Sequence, residues 1–160
     1  MKTVLRQILL AKKNLLPPPV VVMTSNTVPA PFVVSASSQF DVPYASWQAY
    51  DGSGVDGGAT GLWASASVPA SITIDYGAVY AFSKVEITGR STSGQEPRTF
   101  DLQSSNDGVT FATFATYTGL TWANGGEMKT FNFTAITARH LRIDISLAGS
   151  VASIVLINWK

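Results

Sequence analysis

Few residues in this 160-residue chain are of types that do chemistry, and their spacing argues against catalysis. The sole histidine, His140, shares one parity of an apolar–polar run with Arg142 and Asp144, the pattern of a satisfied residue on the polar face of a strand. No Gly-x-Ser-x-Gly turn supplies the nucleophile that a Ser-His-Asp arrangement needs. The glutamates are Glu86, Glu96 and Glu127. Glu86 lies mid-run and the other two near turns, so their spacing does not set two carboxylates across one cleft, as glycoside hydrolysis requires. No glycine-rich loop leads into a helix to cradle phosphate. The expectation is a protein without enzymatic activity.

One segment has the composition to hold a cation. Asp51-Gly52-Ser53-Gly54-Val55-Asp56-Gly57-Gly58-Ala59-Thr60 gathers two carboxylates, hydroxyl groups and many carbonyls. Calcium takes roughly six to eight oxygens, which such a loop can wrap. Asp51, Asp56 and Thr60 are the candidate side-chain ligands of a structural calcium. The spacing is not that of an EF-hand. The alternative is a tight glycine turn in which Asp51 caps backbone donors.

Composition narrows the classes further. Hydrophobic residues make up 46% and charged residues 13%, the latter about half the usual share. Polar character outside the core must therefore come from Ser, Thr, Asn, Gln and Gly. The net charge is +1, with no basic run beyond Lys12-Lys13, so the footprint of a nucleic-acid binder is missing. There is no cysteine, hence neither disulfides nor thiol chemistry.

Two zones position these residues. Residues 1–33 read as an attachment arm and linker. Val4, Leu5, Ile8, Leu9, Leu15 and Leu16 form the apolar stripe of a short helix, which Pro17-Pro18-Pro19 ends. A helix this short is marginal alone in water, so residues 1–19 are expected to dock on another chain or another copy. Arg6 and Lys12-Lys13 interrupt the apolar run, which disfavours a cleaved signal; a membrane span is excluded by length. Residues 17–33, with Pro29 and Pro31, read as a semi-rigid, reaching linker.

Residues 34–160 read as β throughout. Apolar residues alternate with polar ones at 71–76, 84–88, 99–103, 131–133 and 140–147. Asn106-Asp107-Gly108 marks a hairpin, and Gly77, Gly119 and Gly125-Gly126 punctuate other turns. The run Val151 to Trp159 is apolar on both parities, so it is either a central strand covered on both faces or a strand packed on a neighbouring subunit. Many short antiparallel strands without a long helix argue for a sandwich.

The motifs of this zone stand in the order of a known family. Val34-Ser35-Ala36-Ser37-Ser38 is followed by Ala45-Ser46-Trp47-Gln48-Ala49-Tyr50-Asp51-Gly52, then Trp63, then Ile72-Thr73-Ile74-Asp75-Tyr76-Gly77. Pro97-Arg98-Thr99-Phe100, Ser104-Ser105-Asn106-Asp107-Gly108-Val109-Thr110-Phe111 and Ala138-Arg139-His140-Leu141-Arg142-Ile143 come after. The chain resembles the discoidin, or coagulation-factor type C, family, which includes family 32 carbohydrate-binding modules. The resemblance implies an all-β jelly-roll sandwich of about eight antiparallel strands. Trp47, Trp63 and Phe100 are expected in its core, and Arg142 is expected to pair with a carboxylate. The family's calcium loop also draws on a glutamate in the final strand, and the matching Ile154-Val155-Leu156-Ile157 lacks that acid.

The resemblance also implies ligand binding at loops on one end of the sandwich, here Gln39–Ser46, Arg90–Arg98 and Thr121–Glu127. Sugars need a flat aromatic face and planar polar groups, which Trp122 and Asn124 offer, with Tyr44, Arg90 and Gln95 beside them. Trp122 reads equally as a core or interface anchor. Phe40 is the only obvious apolar loop tip, too little for membrane binding. The segment from Leu5 to Asn14 resembles the attachment ends of tail or baseplate proteins of tailed bacteriophages. The combined expectation is a virion structural protein, assembled in a host cytoplasm, that docks through its arm and presents a domain to host-surface glycan. A structural decoration or fibre protein without ligand, and a secreted, extracellular carbohydrate-binding module, are the alternatives.

Overall fold

The structure is a computed structural model that describes residues 16–91, 94–123 and 126–160. Strands form where alternation is sustained: β1 Val33–Ala36, β2 Trp63–Ala64, β3 Ala70–Gly89, β4 Thr99–Ser105, β5 Ala112–Tyr117, β6 Met128–Leu147 and β7 Ser153–Trp159. Two short 3-10 helices, Val42–Tyr44 and Ser46–Tyr50, precede β2. Every pairing is antiparallel, in the order β2-β7-β3-β6-β4-β5, with β1 on β3. The expected all-β sandwich is present.

Two strands of 20 residues, β3 and β6, serve both layers. Residues 70–75 of β3 pair with 140–145 of β6, and 84–88 pair with 128–132. Between these stretches the register shifts twice, at Asp75/Tyr80 and Phe82/Lys84, and such bulges bend a strand. β1, β4 and β5 complete one layer; β2 and β7 complete the other. The runs 71–76 and 84–88, read as separate strands, are thus one, as are 131–133 and 140–147. Gly77 marks a bend and not a chain reversal. Its φ is +75°, Asp75 Oδ1 accepts its N–H at 2.7 Å, and a Cβ there would stand 2.6 Å from Pro31.

The apolar parity of β3, β4 and the second half of β6 is buried, with Ile72, Ile74, Val85, Ile87, Leu102, Leu141, Ile143 and Ile145, and Phe131 joins them, whereas β5 has no buried residue. Each such side chain stabilises by roughly 1.5–3 kcal/mol. Trp63 and Phe100 are fully buried, whereas Trp47 is only half-buried against the core. β7 is covered on both faces: Ile154, Ile157 and Trp159 enter the main core, and Val155 joins a small second cluster with Leu62 and Ala64. Arg142 pairs with no carboxylate among the described residues. Its Nε donates to Thr73 Oγ1 at 3.0 Å and its guanidinium lies 3.6 Å over the Phe111 ring. Arg139 makes the bidentate pair instead, 2.8 Å to each oxygen of Asp75.

The stretch read as a reaching linker packs on the sandwich from Val21 onward. Met23 is 1% exposed and donates its N–H to Tyr50 O at 2.8 Å. Phe32 meets Tyr76 edge-on at 5.9 Å. Asn26 Oδ1 accepts from Ser46 Oγ and the Trp47 N–H, at 2.9 and 3.1 Å. Around Pro29 and Pro31 the chain turns instead of extending, with Thr24 N–H to Val28 O at 2.8 Å and Phe32 N–H to Pro29 O at 3.2 Å, and its apolar residues find core positions within reach. Leu16 is 71% exposed. Val4, Leu5, Ile8, Leu9 and Leu15 of the expected arm lie outside the described residues.

Met23→Ala is expected to cost about 2–5 kcal/mol in denaturant unfolding, as for other buried methionines, whereas deletion of residues 1–19 should leave stability unchanged. The β4–β5 hairpin carries a pH signature. Backbone N–H groups of Val109 and Thr110 and the Ser105 hydroxyl bond Asp107 and hold its carboxyl down at about 2. Its contribution is complete above the ordinary value of about 4 and is lost as pH falls through about 2. Asp107→Asn should therefore flatten the stability profile in that acid window, and an unchanged profile would count against this role.

Candidate functional site

Three connections cross between the layers at one end of the sandwich. Residues 90–98 carry the chain from β3 in one layer to β4 in the other, 118–127 join β5 to β6, and 148–152 join β6 to β7. They interlock through Ser153 N–H to Gln95 O at 2.7 Å, Leu120 N–H to Arg98 O at 2.9 Å and Gly89 N–H to Glu127 O at 2.9 Å. The 39–46 stretch joins this end through Phe40 N–H to Ala64 O at 2.8 Å.

Arg90, the first residue after β3, is held on three sides. Its Nη1 donates to Gln95 Oε1 and its Nη2 to Gly58 O, both at 2.8 Å, and its buried Nε faces Asp56 Oδ2 at 3.6 Å. Asp56 is in turn fixed by the Ser91 N–H and hydroxyl at Oδ2, and by the Gly58 N–H at Oδ1. Burial pushes the Asp56 carboxyl up, but the bonds from Ser91 and Gly58, with Arg90 beside it, hold it below the usual range. A guanidinium has five N–H donors, so these contacts leave one on each Nη. Gln95 Oε1 also accepts from Ser153 Oγ at 3.1 Å, and its amide Nε2 makes no hydrogen bond among the described residues.

Around these polar groups Phe40, Tyr44, Ala64 and Val151 close a pocket of about 90 Å³. The Tyr44 ring rests on Leu62, Ala64 and Val155, lies 5.9 Å from the Arg90 guanidinium and meets Phe40 edge-on at 5.6 Å. Phe40 remains 58% exposed. The 3-10 turn carrying Tyr44 is set by Asp41, whose Oδ1 accepts the Val42 N–H at 2.7 Å.

A second pocket, of about 280 Å³, lies on the other side of the 94–96 chain, lined by Gly94, Glu96, Arg98, Leu120, Thr121 and Trp122. Trp122 is half-buried, and its Nε1 donates to Pro97 O at 2.7 Å. Trp122 and Glu96 both press on Gly89, where a Cβ would come within 2.9 and 2.8 Å of them. Only glycine admits that approach.

Two of the three proposed calcium ligands share a pocket, and the third does not. Asp51 and Thr60 line a third pocket with Trp47, Gln48 and Ser53, while Asp56 turns away to Arg90 and Ser91. Asp51 Oδ1 accepts the Ser53 N–H at 2.8 Å. The Gln48 amide spans the loop, its Oε1 accepting the Gly61 N–H at 2.5 Å and its Nε2 donating to Pro43 O. Asp51 is the only carboxylate among the described residues that line this pocket; the Ser53 and Thr60 hydroxyls add neutral oxygens, and Ile154-Val155-Leu156-Ile157 supplies no second acid, so a calcium ion would find one anionic ligand here. No cluster of three acids or histidines exists among the described residues.

Residues 33–158 match the F5/8 type C domain. The chain belongs to that family. Solved structures similar to this F5/8 type C domain include a Clostridium perfringens module in complex with GalNAc-β-1,3-galactose, at 23% identity, TM-score 0.67, over 80% of this chain and 94% of that one. A family 32 module of C. perfringens NanJ in complex with galactose matches at 24% identity, TM-score 0.66, over 80% and 92%. A chitosan-binding module of a Paenibacillus chitosanase/glucanase matches at 25% identity, TM-score 0.65, over 80% and 93%. A comparison with curated proteins found no match.

Of the residues expected to bind ligand, the F5/8 type C fold brings Tyr44, Arg90 and Gln95 together. It sets Trp122 in the adjoining pocket, and Asn124 lies outside the described residues. Sequence reasoning overlooked Glu96 and Val151 as pocket walls and Asp56 as the partner of Arg90. For Glu96 the available signal was its position directly after Gln95 in the crossing loop. Nothing local marks Asp56, whose partner is 34 residues away.

Melting curves recorded with calcium and with chelator are expected to coincide. Asp56→Ala should lower the melting temperature, because it leaves the Arg90 guanidinium largely buried beside no anion. A calcium-dependent rise that Asp51→Ala removes would reinstate the metal site.

Proposed function

We propose that this F5/8 type C domain is a non-catalytic glycan-binding module whose primary contact is the Arg90 pocket. The observation that carries the reading is an arginine fixed on three sides at the end of the sandwich, with donors left over beside an aromatic wall. A pyranose presents an apolar C–H face and a rim of hydroxyls. Tyr44 and the exposed Phe40 suit the face, and Arg90 with the Gln95 amide suits the rim. A volume of about 90 Å³ suits one ring edge and not a whole oligosaccharide. Neighbours of the same fold solved with galactose and GalNAc-β-1,3-galactose, and one named for chitosan, support the ligand class. Catalysis finds no support at the site, since His140 is engaged elsewhere, under the Gly108 turn and 3.9 Å from Asp75.

For residues 1–19 the reading is attachment to another chain, in a virion or in another assembly. Leu16 and Val20, the last apolar residues before the packed segment, are 71% and 77% exposed and thus available to a partner.

A glycan array followed by calorimetry tests the first reading. Arg90→Ala is expected to weaken sugar binding on the order of a hundredfold, the loss of charge-assisted hydrogen bonds, with a native circular dichroism spectrum. Arg90→Lys should recover little, since an ammonium does not reproduce the planar fork. Binding that survives Arg90→Ala would overturn the assignment. A fragment of residues 20–160 should bind the same glycans as the full chain while losing any oligomer the full chain forms.

A further inference from the structure

We infer that the Trp122 pocket is a second sugar subsite, so that the domain grips two consecutive rings of a glycan and not one. The inference rests on the glycan reading of the Arg90 pocket. One stretch of chain divides the two cavities. Gly89 carries Trp122 and Glu96 on its surface, while Arg90 reaches toward Tyr44 and Asp56. Gln95 lines the first pocket and Glu96 the second. Consecutive Cα atoms are about 3.8 Å apart, so little more than the thickness of one chain separates the cavities.

The second pocket is the larger, about 280 Å³ against about 90 Å³, and has the groups a pyranose needs. Its wall is the Trp122 indole, whose Nε1 is committed to Pro97 O, so the ring cannot swing away without breaking that bond. Lys129 Nζ stands 5.3 Å from the ring centroid and is neutralised by Glu127 at 2.6 Å. Its acceptor is Glu96, only 3% exposed, which takes the Gly94 N–H at Oε2 (2.9 Å) and pairs with no cation among the described residues. A buried carboxylate without a cation is costly unless something donates to it, and vicinal hydroxyls do so. Arg98, exposed at the rim, adds a donor. The carboxylate selects against a uronic acid at this position and for an uncharged ring with free hydroxyls.

The test is chain-length dependence, measured by calorimetry with galactose against GalNAc-β-1,3-galactose and with glucosamine against chitotriose. For the unaltered domain at least one oligosaccharide should bind roughly tenfold or more tightly than its monosaccharide. Trp122→Ala and the isosteric Glu96→Gln should bring that ratio toward one by weakening the oligosaccharide. Arg90→Ala should lose both. If both subsite variants keep the full ratio, or if neither oligosaccharide outbinds its monosaccharide, the second subsite is refuted and the Arg90 reading stands. If the unaltered domain binds none of the four sugars, the Arg90 reading fails and the subsite falls with it. Glu96→Gln, which preserves shape, guards against a Trp122→Ala variant that disturbs packing.

Discussion

The pairing of β3 with β6 is the contact on which the other elements depend. The two strands run antiparallel over nearly their full lengths and pass from one layer to the other together, bending at shared irregularities between residues 75 and 84. Every other strand except β2 and β5 adds directly to one of them. Both layers of the core therefore close around one ladder, and the layer-to-layer spacing is set by a continuous backbone and not by loops. A strand that passes from one layer to the other needs residues that tolerate the bend, and Gly77 with Asp75 at its N–H supplies this.

That arrangement also determines where ligand-contacting residues can stand. Because β3 ends in one layer and β4 begins in the other, the connection between them has to cross the end of the sandwich. The same holds for the connections into β6 and β7. Three crossings at one end leave a surface built of loops on a rigid support, the usual place for recognition. The floor under that surface is apolar: Val155, Leu62 and Ala64 beneath Tyr44, and Gly89 beneath Trp122.

The glycine-rich 51–60 loop acts through position. It delivers Gly58 O and Asp56 to Arg90, and Gln48 ties its far end to Pro43 through the Gly61 N–H. The two acids suggest a cation when read along the chain. In space one of them already has a cation, the guanidinium, and the amide of Gln48 lies in the cavity that the other faces. An ion pair this sheltered, at 3.6 Å, contributes little to net stability, since desolvation opposes it. Its effect is to hold the arginine in one orientation.

Alternation along the chain was enough to determine the all-β class and the buried parity of β3, β4 and the second half of β6, because a period of two leaves only one face to bury, and Asn106-Asp107-Gly108 marked the hairpin. The loop segments that would meet came from the family resemblance, and Tyr44, Arg90 and Gln95 do converge. Tertiary structure alone decided the rest. Local pattern does not distinguish two short strands from one long bent strand, so β3 and β6 read as four. Prolines in 17–33 signal an extended chain but not whether it finds a surface, and Met23 and Phe32 find one. Trp122 parted from Tyr44, and Asp56 from Asp51, for one physical reason. Which side of a loop a side chain takes is settled by what fills the other side, and the deciding neighbours, Pro97 and Glu96 for Trp122 and Arg90 for Asp56, are distant in the sequence.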